Sequence, residues 1–188
     1  MTHIMVDLET LGTVADSVIC SIGAVKFDLD SNALDDAGFY ASVSVDSNLE
    51  MKRRIQEDTL IWWMKQTSDA QQVFVEPKQT LRSALEDFSD WVGNGDFCLW
   101  SNGADFDLPM LSHAFATHMI DIPWKFHNQR CYRTYKNLPH ARQTKLNVLG
   151  IKHNAMSDAL NQAQHLQAIQ RVVTGREPFK QNSMVKTA

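Results

Sequence analysis

Apolar positions cluster early in the chain into short runs rich in β-branched and aromatic residues. Residues 3–8, "SVICSIGAVKF" (17–27) and "FYASVSV" (39–45) read as strands that pair antiparallel, with a polar, turn-like segment over 28–38 between the last two. Helical spacing then takes over. A helix is expected from about Thr59 through "TLIWWMKQ", and another over 78–92, where Leu81, Leu85, Phe88 and Trp91 or Val92 recur every three to four positions. Gly93-Asn94-Gly95-Asp96 breaks that helix, and "FCLWS" (97–101) is a nearly continuous apolar run, as in a strand buried on both faces. A helix opens near Phe106 and runs toward His118. Residues 120–151 are mixed, with a short helix expected around 133–137. A last helix spans about 157–173, closed by Gly175 and Pro178. Strands first, then strand and helix alternating, predict a mixed α/β sheet with helices packed on it.

The pattern is interrupted in its first strand. In "MVDLET", the buried run of Ile4, Met5 and Val6 leads directly into Asp7 and Glu9. Side chains two apart on a strand share a face and lie roughly 7 Å apart. Burying two like charges so close is costly unless a positive group answers them. Two further acidic segments stand at comparable places. "SNGADFDLPML" puts Asp105 and Asp107 after the buried strand, at the mouth of a helix. "HNAMSDALNQA" puts His153 five residues before Asp158, in the first turn of the last helix. Ligand sites in open α/β sheets gather at the carboxyl ends of strands, where these segments are expected to lie.

Each segment alone has an ordinary explanation: an acidic turn, an Asp capping a helix, a structural histidine. Together they describe a set of oxygen ligands, which selects hard ions such as Mg²⁺ or Mn²⁺. Four carboxylates suit two such ions, the arrangement used for in-line displacement at phosphorus. His153 is the expected general base, since an imidazole titrates near neutrality.

Composition narrows the setting. At 188 residues the chain suits one domain, expected over 1–175, with 176–188 as a flexible C-terminal tail. No apolar run reaches the roughly 20 residues of a membrane helix, and there is no room for a signal peptide before the first strand. Cys20, Cys98 and Cys131 lack CxxC spacing and read as reduced thiols of a cytoplasmic protein. The net charge of −4 argues against a protein that coats nucleic acid. Yet Lys125, Arg130, Arg133, Lys136, Arg142, Lys145 and Lys152 lie in a stretch without a single acid, between Asp121 and Asp158. That segregation is either a footprint for an anionic partner or a solvated basic face. Trp62 and Trp63 are either core anchors or a stacking surface for bases, with at least one expected inside.

"DLET", "SNGADFD" and "HNAMSDA" resemble the three motifs of the DEDDh 3′→5′ exonucleases, an RNase T-like group of the RNase H-like superfamily. The likeness runs from about residue 3 to 172. "IGAVKF", "WWMKQ", "CYRT" and "KHNAMSDALNQA" look closest to the Rv2179c-like and phage or prophage exodeoxyribonuclease VIII-like branch. The resemblance implies an RNase H-like mixed five-stranded sheet flanked by helices, in a bacterial or phage-encoded intracellular protein. It implies Asp7, Glu9, Asp107 and Asp158 as ligands of two divalent cations, with Asp7 bridging them and His153 as general base. Asp107, following Phe106, fits the second motif better than Asp105. Thr10, Leu11 and Asn102 are the implied contacts to the terminal nucleotide. Ser101 stands where many relatives have His or Thr before the motif's Asn.

The implied reaction is release of nucleoside 5′-monophosphates from a 3′ end of DNA or RNA, with single strands favoured over duplexes. A homodimer, in which the basic segment of one subunit serves the other's site, occurs in some relatives. Two rivals remain at this point. An RNase H-like endonuclease would cut a circular or 3′-blocked strand, and a non-catalytic nucleic-acid binding module would release no nucleotide.

Overall fold

The computed structural model describes residues 2–175 except 36, 140, 143 and 147; the expected tail over 176–188 lies outside the described residues. Three strands come first: β1 (His3–Thr10), β2 (Ile19–Phe27) and β3 (Phe39–Ser42). Helices α1 (Val45–Glu50), α2 (Glu57–Met64) and α3 (Leu81–Val92) follow. Then come β4 (Cys98–Ser101), α4 (Asp107–Thr117), β5 (Gln129–Cys131), α5 (Tyr132–Lys136) and α6 (Ala155–Val173). The five strands form one sheet in the order β3-β2-β1-β4-β5. β1, β2 and β3 pair antiparallel, while β4 runs parallel to β1 and β5 parallel to β4. This is the mixed five-stranded sheet flanked by helices that the sequence led us to expect.

Three local differences have physical causes. The third strand stops at Ser42 rather than continuing to 45, because Ser44 caps α1 and accepts a hydrogen bond from the Ser47 amide. The last helix begins at Ala155, where the Asn154 side chain accepts from the Ser157 amide at 3.0 Å. β5 is three residues, Gln129, Arg130 and Cys131, at the sheet edge, too short for a period of two to register.

Both faces of the sheet are covered. Ile4, Val6 and Leu8 of β1 join the buried face of α3 (Leu81, Ala84, Leu85, Phe88, Val92) and Leu111 and Phe115 of α4. On the other face Met5, Val25, Phe27 and Trp100 pack against Tyr132 and against Ala159, Ala163 and Leu166 of α6. A smaller cluster of Leu11, Val18, Cys20, Trp63, Ala70 and Val73 ties α2 to the turn after β1. No helix among the described residues is long and apolar enough to cross a membrane.

Candidate active site

Strand alternation puts Asp7 and Glu9 on the α6 face of the sheet, in line with buried Met5. The site exists because both neighbours of β1 leave room there. β4 pairs with β1 only over 3–5, so the edge of β1 beyond Met5 has no strand beside it. Asp107, the first residue of α4, fills that gap: its Oδ1 accepts the Leu8 amide at 3.0 Å. On the other side, Gly23 is the β2 partner of Asp7. A Cβ at Gly23 would overlap the backbone of Ala155 and Met156, so only glycine lets the first turn of α6 rest on the sheet. That close approach brings Asp158 to Glu9. One oxygen each of Glu9 and Asp158 and a ring nitrogen of His153 lie within 4.8 Å of one another.

The same helix and the loop before it hold the rest of the site. The His153 amide donates to Asp158 Oδ2 at 3.1 Å, in a left-handed backbone conformation (φ 62°). Gln162, one turn beyond Asp158, donates from Nε2 to Asp7 Oδ1 at 2.7 Å. Asn161 clamps the loop, its side chain bonding both the amide and the carbonyl of Leu149 at 2.9 Å. The cleft above these groups holds about 580 Å³ and is walled by Trp62, Phe106, Lys136, Leu146 and Val148, among others. That is room for a nucleotide-sized ligand.

Crowding dominates the electrostatics. Burial, then the charges of Asp107, Glu9 and Asp158, push the Asp7 carboxyl well above its ordinary range. Burial and the charges of Asp158 and Asp107 raise Glu9 to about 8. Burial raises Asp107 to about 7, against the pull of the Leu8, Asp107 and Asn102 amides and of Arg133. Asp158 is raised, chiefly by burial. His153 is lowered by burial, with Asp158 pushing the other way. Four acids therefore converge without a basic side chain bonded to any of them among the described residues. Asp107 Oδ2 is buried with no protein partner. An orphaned carboxylate oxygen among mutually repelling carboxylates is the donor set that a hard divalent cation satisfies.

The expected residues divide as follows. Asp7, Glu9, Asp107, Asp158 and His153 are brought together; Asp105 is exposed, so Asp107 is the second-segment acid that reaches the cluster. Thr10 and Asn102 line the cleft. Leu11 does not: its side chain is in the small core cluster, its amide donates to Val18 O and its carbonyl accepts from Gln56. The basic segment is also dispersed. Lys125 pairs with Asp96, Arg130 bonds neighbouring carbonyls, and Arg142 bonds Asn137 O. Only Lys136 of the seven lines the cleft, bonded to Asn102 Oδ1 at 3.1 Å. Trp63 is buried, as expected of at least one of the pair, and Trp62 is exposed. Gln162, Asn161 and Gly23 were not singled out from sequence, although Gln162 stands at i+4 from Asp158, the spacing that shares a helix face.

A mixed five-stranded sheet with three acidic segments meeting at the end of its central strand is the architecture that the resemblance to 3′→5′ exonucleases implies. The chain belongs to the Rv2179c-like family, its residues 2–170 matching the 3′-5′ exoribonuclease Rv2179c-like domain. Its fold is similar to that of cell-death related nuclease 4 (CRN-4), with TM-score 0.61 and 17% identity over 92% of this chain. The match spans 64% of CRN-4. It is also similar to the nuclease domain of 3′hExo, a DEDDh family member bound to rAMP, with TM-score 0.58 and 15% identity over 94% of each chain. No curated protein sequence matches it.

Proposed function

We propose that this chain hydrolyses the terminal phosphodiester at the 3′ end of single-stranded RNA or DNA and releases nucleoside 5′-monophosphates. The observation that carries the reading is the convergence of Asp7, Glu9, Asp107 and Asp158 beside His153 at the end of β1. The family's description as exoribonuclease favours RNA, and the rAMP bound to the related 3′hExo domain is a nucleoside monophosphate of the kind expected as product.

The four carboxylates would hold two divalent cations, Mg²⁺ or Mn²⁺. The chemistry such ions supply when bound is charge stabilisation on the phosphate and acidification of water. Around them the chain's own groups divide the work. His153, lowered by burial, is neutral at physiological pH and takes the proton of the attacking water. As that water's oxygen bonds to phosphorus, the bond from phosphorus to the 3′ oxygen breaks, and that oxygen takes a proton from solvent to become the new 3′ hydroxyl of the shortened strand. Gln162 fixes one oxygen of Asp7, and Lys136 with Asn102 offers a cation and an amide to the strand. Thr10 closes the floor beside Glu9. A cleft with a single lining cation from the basic segment favours an unpaired end over a duplex, whose two phosphate backbones call for a broad positive surface.

The test is kinetic. Asp7→Ala or Asp107→Ala should abolish Mg²⁺-dependent shortening of a 5′-labelled oligonucleotide while the circular dichroism spectrum is kept, and a circular strand should resist the wild type. Full activity in either variant, or cutting of the circle, defeats the reading.

A further inference from the structure

A general base must be aimed as well as protonated correctly, and hydrogen-bonded bases are usually aimed by a third polar group. Among the described residues His153 has no such group. Its backbone amide is tied to Asp158, but among the described residues neither ring nitrogen has a hydrogen-bond partner. The loop that delivers it is clamped four residues upstream by Asn161 at Leu149, which fixes the backbone and leaves the ring's own torsions free.

What surrounds the ring is aromatic. The Trp62 ring meets the imidazole at 4.8 Å between centroids and 81° between planes, and Trp63 meets it at 6.4 Å and 76°. The two indoles are themselves edge-to-face at 5.0 Å. Trp63 is anchored: it is buried, its Nε1 donates to Thr10 O at 2.8 Å, and Phe74 lies edge-on at 5.1 Å. Trp62 leans on that anchor with 40% of its surface exposed, so it contributes a wall to the cleft and little to the core.

We propose that Trp62 is a positioning residue for the His153 imidazole, the outer wall of an aromatic corner that does by packing what a hydrogen-bonded carboxylate or carbonyl does for other catalytic histidines. The inference rests on the assignment of His153 as general base. It gives α2 a catalytic purpose: the helix carries the corner, and the bond from Trp63 to Thr10 O ties the corner to the strand bearing Asp7 and Glu9. Edge-to-face rings have a preferred geometry, so the contact is directional in a way that an aliphatic wall is not.

The test is a double-mutant cycle of Trp62→Ala and His153→Ala, with Trp62→Phe as the conservative variant. Rates are read on an oligonucleotide with an ordinary 3′ end and on one whose terminal nucleoside lacks its base. Loss of alignment should lower kcat by about 10- to 100-fold in Trp62→Ala while KM changes little. Trp62→Phe should recover most of that loss. The decrease should persist on the baseless end, and Trp62→Ala should cost nothing further once His153 is Ala. A rise in KM with kcat kept, a decrease that vanishes on the baseless end, or additivity in the cycle would instead make Trp62 a platform for the terminal base and overturn the proposal. The two readings fail separately: full activity in His153→Ala refutes the general base itself, whereas an impaired His153→Ala with an additive Trp62→Ala refutes only the positioning role.

Discussion

At the scale of single residues, the acids at the end of β1 work against the folded state of the metal-free protein. Asp107 is the clearest case, because one oxygen is satisfied by the Leu8 amide and the other faces the cluster without a partner. An amide at this position keeps the first bond and offers its NH₂ toward the remaining carboxylates. Asp107→Asn should therefore raise the melting temperature in EDTA at pH 8, where about 1 kcal/mol corresponds to roughly 2–4 °C for a chain of this size. Activity should meanwhile fall by more than the roughly 10–100-fold typical of losing an outer partner of a metal ligand. A variant that is inactive and also less stable would show that Asp107 serves the fold more than the site. The choice between Asp105 and Asp107 was legible in sequence only through motif resemblance. Composition treats two acids two residues apart alike, and it is the end of β4 pairing at Met5 that opens a place for one of them.

At the scale of elements, the site depends on how closely α6 approaches the sheet. Gly23 sets that distance, since any side chain there meets the backbone of Ala155 and Met156. Gly23→Ala should cost about 1–3 kcal/mol through overpacking. It should also reduce activity by displacing Asp158 and His153, while Gly95→Ala, whose Cβ would meet the Phe97 ring away from the cleft, should cost stability and leave activity near wild type. Denaturant unfolding and rate measurements on the two variants separate these effects. Strands 1 and 2, α3 and α4 could be read from periodicity because each buries a stripe or face of apolar residues. β5 could not, being only three residues (Gln129, Arg130, Cys131) at an edge, and α1 was hidden because Ser44 caps it within a β-branched run. The convergence of 7, 9, 107, 153 and 158 is a matter of tertiary approach. Spacing alone could suggest it; the glycine at 23 and the early end of β4 produce it.

For the whole molecule, the raised carboxyls couple folding to pH and to metal. Their ordinary values lie near 4, whereas Glu9 and Asp107 stand at about 8 and about 7 in the folded chain and Asp7 is raised well above its usual range. At these carboxyls the folded state binds more protons than the unfolded chain up to about pH 8. His3, His118, His153 and His165, lowered by burial, act the other way below about pH 6.5. Above that, stability falls as pH rises. In EDTA the melting temperature should drop from about pH 6.5 to pH 8. Mn²⁺ should restore it more at pH 8 than at pH 5, where protons compete for the same oxygens. A melting temperature that rises from about pH 6.5 to pH 8 in EDTA would contradict this coupling. Beneath these expectations lies one spatial arrangement, an ion pair shared by acids from three distant segments. Anomalous diffraction from a manganese-soaked crystal tests it directly: two peaks about 3.5–4 Å apart, bounded by Asp7, Glu9, Asp107 and Asp158, are the expected result. Manganese bound elsewhere, with none beside Asp7, would contradict it.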